Sequence, residues 1–349
     1  MPDHPPVRRS AYPDADLDEI VQCVGDRWAA LRDARILVTG ASGFVGGWLL
    51  DSLARARRDH GLRTEAVVVT RDQARLAARR PWIADASWVH VIIADVRDLR
   101  VGGDLTHVIH CASAATPEAN RDDPAGVCDL IVRGTARVMD VARACRAGRV
   151  LHLSSGAVHR SPLAAPPLDP ETAAADAASV SAADLFGHAK RLAEAIALRG
   201  GPNGEPGAIT ARCFALLGPG LPLDGAFAAG NFVRDLLTGG PITVHGDGRA
   251  RRTYLHAIDL AVWCWVLLLE ARGGTAWDVG GTEEVSVGEL AERVAACRGG
   301  VRVQVQGAVG HGPPDRYVPD VRPAAHALGL TPRISLGDAL RRTIAWYPE

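Results

Sequence analysis

Short apolar runs alternate with longer stretches of helical character over the first part of the chain. Five β-rich runs of six or seven residues are separated by segments such as 44–57, where Val45, Leu49 and Leu53 recur at helical spacing. Strands that alternate with helices predict an α/β fold with a doubly wound parallel sheet, covered on both faces. The five runs are RILVTG (35–40), EAVVVT (65–70), VHVIIAD (89–95), HVIHCAS (107–113) and RVLHLSS (149–155).

The pattern divides the chain into three parts. Residues 1–33 are predicted to be an N-terminal extension with a Pro-rich start and a short helix, and residues 34–210 carry the sheet. Residues 211–349 are predicted to form mainly a smaller α/β lobe, from which some segments return to the sheet. Its loops, such as GPGLPLDG (218–225) and VHGDGRARR (244–252), are rich in Gly and Pro, which is typical of a lobe that closes over a ligand.

Composition argues against several classes of partner. The formal net charge is -1, and the basic side chains are scattered along the 349 residues. The sequence therefore predicts no basic patch that would bind nucleic acid or an anionic membrane. The longest apolar run, 260–269, is too short to cross a bilayer, and the first ten residues lack the apolar core of a secretory signal. The seven cysteines show no metal-site spacing, so we predict no metal site and a reduced, cytoplasmic protein.

A glycine-rich turn follows the first predicted strand. Gly40, Gly43 and Gly46 lie between that strand and the next helical segment, inside a βαβ unit. Small residues there let the backbone approach a pyrophosphate, which the start of the helix then stabilises. In this context the triplet predicts a dinucleotide site.

The residues at the end of the second strand indicate whether the cofactor is NAD or NADP. Thr70 and Arg71 stand where an acidic residue would bind the ribose 2′-hydroxyl of NAD, and Asp72 comes one or two places late. Since arginine accepts a 2′-phosphate, the sequence favours NADP over NAD. Asp95 is placed to bind the adenine amine. The predicted cofactor-binding residues are Gly40, Ser42, Gly43, Phe44, Val45, Gly46, Arg71, Asp95, Val96, Cys111, Ala112, Ser113 and Lys190.

Lys190 is the single lysine among 39 lysine and arginine residues. A chain that otherwise uses arginine for every cation keeps a lysine where a compact ammonium is needed rather than a planar fork. Lys190 is therefore a candidate site residue.

Several motifs in order resemble one family. TGxxGxxG (39–46), SSGAV (154–158), the ring-x-x-x-Lys helix (186–190), GDGRARR (246–252), ARCFALLGPG (211–220) and DRYVPD (315–320) are similar to the extended short-chain dehydrogenase/reductases. Within these, the match is to the nucleotide-sugar epimerase/dehydratase branch, from about residue 35 to the C-terminus. The resemblance implies a Rossmann sheet with NAD or NADP, a nucleoside-diphosphate sugar as substrate, and a homodimer.

The resemblance also implies roles at single positions. Ser155 matches the catalytic serine that bonds the sugar hydroxyl, and Lys190 matches the lysine that holds the nicotinamide ribose. Arg252 matches the arginine that pairs with the substrate diphosphate, a bidentate task. Further nucleotide contacts are implied for Asn231 and Arg316.

Three departures from the family pattern bear on chemistry. Phe186 occupies the place of the catalytic tyrosine, and His159 replaces a second tyrosine nearby. Gly156 and Ala157 stand where the 4,6-dehydratases carry an acidic pair, which disfavours sugar 4,6-dehydration. Phe186 leaves two origins open, natural divergence or deliberate replacement of a tyrosine. If the change is natural, His159 is a better substitute base than His188, which should point away from Phe186 on a helix.

We predict an NAD(P)-dependent nucleotide-sugar epimerase or ketoreductase that transfers hydride at a sugar carbinol carbon, with Ser155, Phe186, Lys190 and His159 as the catalytic set. A nucleotide-sugar dehydratase, a non-sugar reductase and a catalytically silent binding protein are the alternatives. The compact ammonium of Lys190 is suited to a position beside a phenol and a ribose. The sequence therefore favours a site in which Phe186 blocks an otherwise intact catalytic set, and it predicts a gain of activity from Phe186→Tyr.

Overall fold

The computed structural model describes residues 12–113, 121–160, 181–199, 207–225, 227–310 and 312–347. Ten helices lie in these ranges, and they flank one large sheet and three small ones. The helices are α1 (Asp14–Val24), α2 (Phe44–Asp59), α3 (Gln73–Arg79), α4 (Pro124–Ala144), α5 (Ala182–Leu198), α6 (Ala228–Leu237), α7 (Ala257–Glu270), α8 (Val287–Ala296), α9 (Arg322–Leu328) and α10 (Leu336–Trp346).

The large sheet is parallel throughout its seven strands, in the order β11-β6-β5-β4-β1-β2-β3. Each of the five runs predicted from apolar spacing forms one of its strands. The predicted α/β class with a doubly wound parallel sheet is therefore confirmed. Its strands are β1 (Arg35–Thr39), β2 (Glu65–Thr70), β3 (Val89–Ile93), β4 (His107–His110), β5 (Arg149–Ser155), β6 (Ile209–Cys213) and β11 (Ala276–Val279).

Alternate residues of the central strands pack against different helices. On β1, Ile36 and Val38 share a buried cluster with α1, α2 and α7, whereas Leu37 lies in a second cluster with α4. This period of two is what a sheet covered on both faces requires. Helices α4 and α5 also pack against each other.

The predicted N-terminal extension, from Tyr12 onwards, packs into the core beneath the sheet. The Trp28 indole is fully buried, lies 4.9 Å from the Trp265 ring on α7, and donates to the Val21 carbonyl at 3.1 Å. Tyr12 stacks on Trp48 of α2 with ring centroids 3.8 Å apart. Helix α1 thus supports the underside of α2, the helix that follows the glycine-rich turn.

The second half of the chain builds a smaller lobe around its own buried cluster, which includes α6, α8 and α10. One segment, β11, returns to the large sheet beside β6. The division at residues 33 and 210 remains a prediction. The lobe's strands are β7 (Ala215–Leu217), β8 (Ile242–Val244), β9 (Arg251–Arg252), β10 (Tyr254–His256), β12 (Val285–Ser286), β13 (Val303–Val305) and β14 (Arg316–Tyr317).

All seven cysteines carry free thiols. Among the residues that the structure describes, no helix is long and apolar enough to cross a membrane, and no cluster of side chains has the makings of a metal site.

Candidate functional site

The glycine-rich turn fits tightly against the end of β4. Gly40 adopts φ +72°, a left-handed conformation that favours glycine, and a Cβ there would lie 2.7 Å from the Ala112 amide nitrogen. A Cβ on Gly46 would lie 2.4 Å from the Gly40 carbonyl oxygen. Because both distances are shorter than any real contact, the turn accepts no side chain at either position. The result is a backbone cradle that opens onto the start of α2.

The neighbouring strand end supplies polar groups to this cradle. Thr39 accepts a hydrogen bond from the Ala112 amide at 3.2 Å and contacts His110 Nδ1 at 2.8 Å. The Ser113 hydroxyl is buried and has no hydrogen-bond partner among the described residues. An unmatched buried hydroxyl beside a glycine cradle fits a bound dinucleotide, which would supply the missing partner.

At the end of β2, the carboxylate and the arginine have different tasks. Asp72 caps α3 by accepting the Arg75 amide at 2.8 Å, so its carboxylate serves the helix. The Arg71 side chain is 63% exposed and lies 3.9 Å from Asp95. Arg79, which the sequence did not single out, donates to the Ser42 carbonyl at 2.7 Å and so brings a second guanidinium to the glycine turn.

Asp95 and Val96 follow β3. Both Asp95 oxygens accept from the Arg97 guanidinium at 2.9 Å, and these bonds, together with the Arg97 amide, lower the pKa of the carboxyl. Asp95 is therefore ionised, and its acceptor atoms are already engaged by Arg97. The Val96 side chain is buried in the core, which leaves its backbone as the part that can face a cofactor.

Lys190 is held inside the fold. The residue is 5% exposed, and its ammonium donates to the Leu153 carbonyl of β5 at 3.1 Å and lies 5.9 Å from the centre of the Phe186 ring. Burial lowers the pKa of Lys190 to about 8. The ring-x-x-x-Lys spacing thus places both side chains on one helix face, as the sequence predicts, but the ring carries no hydroxyl.

Ser155 ends β5 and meets a phenol from the other end of the chain. Its hydroxyl lies 3.3 Å from the Tyr317 hydroxyl, and it accepts the Ala157 amide at 3.2 Å. Tyr317 is on β14, directly after Arg316, and sequence reasoning missed it. The available signal was its place in DRYVPD (315–320), beside a residue already implied to touch the nucleotide.

His159 lies close to this group and is tied to a carboxylate. Its Nε2 is 2.9 Å from Asp278 Oδ1 on β11, and its ring lies 6.0 Å from the Phe214 ring. Phe214 also contacts Tyr317, with ring centroids 4.6 Å apart. His188 is exposed on α5.

The three residues implied to bind the nucleotide are each engaged within the lobe. Arg252 pairs with Asp315 at 2.6 Å, and Arg316 pairs with Glu284 at 2.7 Å. Asn231 accepts from Arg234 at 3.2 Å. Arg252 also lies 5.7 Å from the centre of the Tyr317 ring, whose hydroxyl contacts Ser155. A diphosphate at this place would compete with Asp315 for the Arg252 guanidinium.

Comparisons with known proteins identify the family. The model of the NAD dependent epimerase/dehydratase family matches residues 36–280. A dTDP-glucose 4,6-dehydratase from Streptomyces niveus is 26% identical over 331 residues, covering 90% of this chain and 93% of the relative. UDP-glucuronic acid decarboxylase 1 from Arabidopsis thaliana is 27% identical over 316 residues, covering 89% of this chain and 69% of the relative.

Solved structures share the fold at lower identity. The dTDP-glucose 4,6-dehydratase from Streptomyces venezuelae, solved with NAD bound, has a TM-score of 0.72 at 24% identity, covering 90% of this chain and 96% of that one. UDP-glucose 4-epimerase from Thermotoga maritima, solved with UDP-glucose, has a TM-score of 0.70 at 18% identity, covering 89% and 98%. Since the family model spans more than half of the sequence, this chain belongs to the NAD dependent epimerase/dehydratase family.

Proposed function

We propose that the protein catalyses NAD(P)-dependent epimerisation or keto-sugar reduction of a nucleoside-diphosphate sugar, at a carbinol carbon. The observation that carries the proposal is the convergence of the glycine cradle, buried Lys190 and Ser155 at the carboxyl ends of β1, β4 and β5. In an open α/β sheet this edge is where ligands bind. Curated relatives are named for dTDP-glucose and UDP-glucuronic acid, which supports the substrate class.

Each residue has a role in this proposal. The cradle around Gly40 and Gly46 receives the pyrophosphate, and the nicotinamide, when bound, accepts or returns hydride. The Lys190 ammonium holds the nicotinamide ribose, and the Ser155 hydroxyl orients the reacting sugar hydroxyl. Arg252 exchanges Asp315 for the substrate diphosphate, a charge-assisted bond of the same kind.

A 4,6-dehydratase fits less well, for a steric reason. The relatives include dehydratases, but the family's acidic pair is absent here, and a Cβ on Gly156 would lie 2.6 Å from the Phe214 ring. A carboxylate side chain at Gly156 would therefore require Phe214 to move. The site holds no evident acid and base at Gly156 and Ala157 for expelling water.

Binding and turnover together test the proposal. Calorimetry with UDP-, dTDP-, GDP- and CDP-sugars on the cofactor-loaded protein is expected to reveal one that binds, and nicotinamide absorbance with NMR of the sugar should show its redox conversion. Failure of all four sugars to bind would refute the proposal and favour a non-sugar reductase. Binding without turnover, both in the wild type and after Phe186→Tyr, would indicate a silent binding protein.

For the cofactor we propose NADP. Arg71 is exposed at the end of β2, while the nearby Asp72 carboxylate is used to cap α3. Arg71→Ala is expected to weaken NADP⁺ binding about tenfold or more in calorimetry and to leave NAD⁺ binding nearly unchanged, because only NADP⁺ carries the 2′-phosphate. Arg63→Ala, which breaks a surface ion pair with Asp33, is the control. Tighter binding of NAD⁺ by the wild type would contradict the choice of NADP.

We also propose a homodimer. Leu192 and Leu185 of α5 are 53% and 36% exposed and lie two helical turns apart on one face, which a second copy of the chain would cover. Light scattering on the wild type should give twice the mass of one 36.8 kDa chain. Leu192→Glu is expected to shift the protein toward the monomer.

A further inference from the structure

The chain has four tyrosines, and their surroundings differ sharply. Tyr12 and Tyr254 are buried, and burial raises the pKa of each to about 12. Tyr347 is buried against the Leu221 carbonyl, and burial raises its pKa as well. Tyr317, by contrast, is half-buried and brings its hydroxyl to Ser155.

We infer that Tyr317 is the acid–base residue of this enzyme, supplying from the C-terminal lobe the phenol that Phe186 lacks. The inference rests on the function proposed above. Its basis is the contact between the Tyr317 and Ser155 hydroxyls, whose oxygens are 3.3 Å apart. A sugar hydroxyl that Ser155 orients would therefore lie within reach of this phenol.

The position of the Tyr317 hydroxyl is fixed by the sheet. Ser155 and Cys213 are partners in the parallel register of β5 and β6, and the Tyr317 hydroxyl lies over both, donating to the Cys213 carbonyl at 3.5 Å. Both contacts are longer than the usual 2.7–2.8 Å of a hydroxyl bond. Hydrogen bonds of catalytic groups are often long before the substrate arrives and shorten in the complex.

Several charged and titratable groups surround the Tyr317 ring. The Arg252 guanidinium lies 5.7 Å from the ring centre, with Asp315 as its partner. The Cys213 thiol is neutral, because burial raises its pKa to about 12. Beyond Phe214 lies the pair formed by His159 and Asp278. Arg252 thus places a cation beside the ring, where it would stabilise a phenolate that forms in the reaction.

In oxidation, the sugar O–H bond breaks and its proton passes to the Tyr317 phenolate oxygen, while the C–H electron pair leaves as hydride to the oxidised nicotinamide. The carbinol becomes a carbonyl, and the phenolate becomes a phenol. Reduction reverses both transfers, with Tyr317 returning the proton to the carbonyl oxygen.

The histidines suggested by sequence are less suited to this role. The Nε2 of His159 is held by Asp278, and no contact between His159 and Ser155 or Lys190 is present among the described residues. His188 is exposed on α5. Among the residues that the structure describes, Tyr317 is the titratable side chain whose hydroxyl contacts Ser155.

The kinetic test uses dTDP-glucose and UDP-glucose as probes, with NAD⁺ and NADP⁺. Tyr317→Phe is expected to lower kcat by about 10²–10⁴-fold, the range for a lost general base, and to leave the Kd of dTDP and UDP within about threefold. Tyr254→Phe is the matched control, since it removes a buried phenol of the same lobe. The sequence alone predicts a gain of activity from Phe186→Tyr, but with Tyr317 already supplying a phenol we expect this change to alter wild-type kcat less than about tenfold. In Tyr317→Phe, the same change is expected to raise kcat by more than about tenfold.

A titration without substrate or cofactor gives a second readout. In protein labelled with ¹³C at the tyrosine ζ carbon, one NMR signal should shift at lower pH than the other three and should be missing from Tyr317→Phe. A Tyr317 signal that titrates together with those of Tyr12 and Tyr254 would overturn the inference.

The outcomes separate the inference from the proposed function. Two results would refute the inference and leave the proposed function standing. One is wild-type turnover that persists in Tyr317→Phe. The other is an inactive wild type that gains activity from Phe186→Tyr and keeps that activity when Tyr317→Phe is added. A loss of dTDP and UDP affinity with unchanged kcat makes Tyr317 a binding residue and also refutes it. Failure of all four nucleotide sugars, UDP-, dTDP-, GDP- and CDP-linked, to bind, with no turnover in any variant, refutes both.

Discussion

Replacing Lys190 should make the protein more stable while removing its function. Burial lowers the pKa of Lys190 from 10.5 to about 8. Each pKa unit corresponds to 1.36 kcal/mol, so keeping the buried amine protonated at neutral pH costs about 3 kcal/mol. Lys190→Met retains a long unbranched side chain and loses one hydrogen bond, to Leu153, worth about 1 kcal/mol. The expected net gain at neutral pH is about 2 kcal/mol in the free energy of unfolding.

The gain should depend on pH with a definite sign. Below a pH of about 8, Lys190 is protonated in both the folded and the unfolded chain, and the penalty is fully present. Between about 8 and 10.5 the unfolded chain binds more protons, so the wild type gains stability as the pH rises. The advantage of Lys190→Met is therefore expected to be largest at neutral pH and to vanish about 1.5 pH units above 8, after which the variant becomes less stable than the wild type by about 1 kcal/mol, the value of the lost hydrogen bond.

Urea unfolding measured across this pH range, with linear extrapolation, gives the comparison. Arg191→Met is the matched control on the same helix, because Arg191 is only partly buried, and its effect should not follow the pH profile described for Lys190. NADP⁺ affinity should fall about tenfold or more in Lys190→Met. A variant that is less stable than the wild type at every pH, by an amount independent of pH, would refute the argument that burial of the ammonium is costly.

Two further variants test the cradle and the support beneath it. Gly46→Ala is expected to weaken binding of NAD⁺ and NADP⁺ about tenfold or more in calorimetry, because the new Cβ would lie 2.4 Å from the Gly40 carbonyl oxygen. Gly102→Ala, which meets open space, should bind normally. Trp28→Ala is expected to lower the free energy of unfolding by about 3–5 kcal/mol, as for other buried aromatic residues. A loss under about 1 kcal/mol in urea unfolding would mean that the segment before β1 contributes little to the core.

The sequence by itself determined those features that are encoded locally. Apolar runs located β1 to β5, and β1, β2, β4 and β5 are apolar along most of their length because they are buried on both faces of the sheet. The glycine turn was predictable because close backbone approach excludes every other residue at Gly40 and Gly46. Phe186 and Lys190 share a helix face for a similarly local reason, their spacing of four residues.

Only the tertiary structure decided what depends on contacts between distant segments. Ser155 and Tyr317 are 162 residues apart, and Tyr317 lies on a strand of two residues, too short to show any periodicity. The sequences of α1 and β11 likewise do not indicate which surface each element will contact. In the structure, α1 packs against α2, and β11 extends the large sheet beside β6. Local spacing fixes the direction of a side chain on its own element. The path of the whole chain decides which other element it meets, and for Ser155 the chain path brings the phenol of Tyr317 to its hydroxyl.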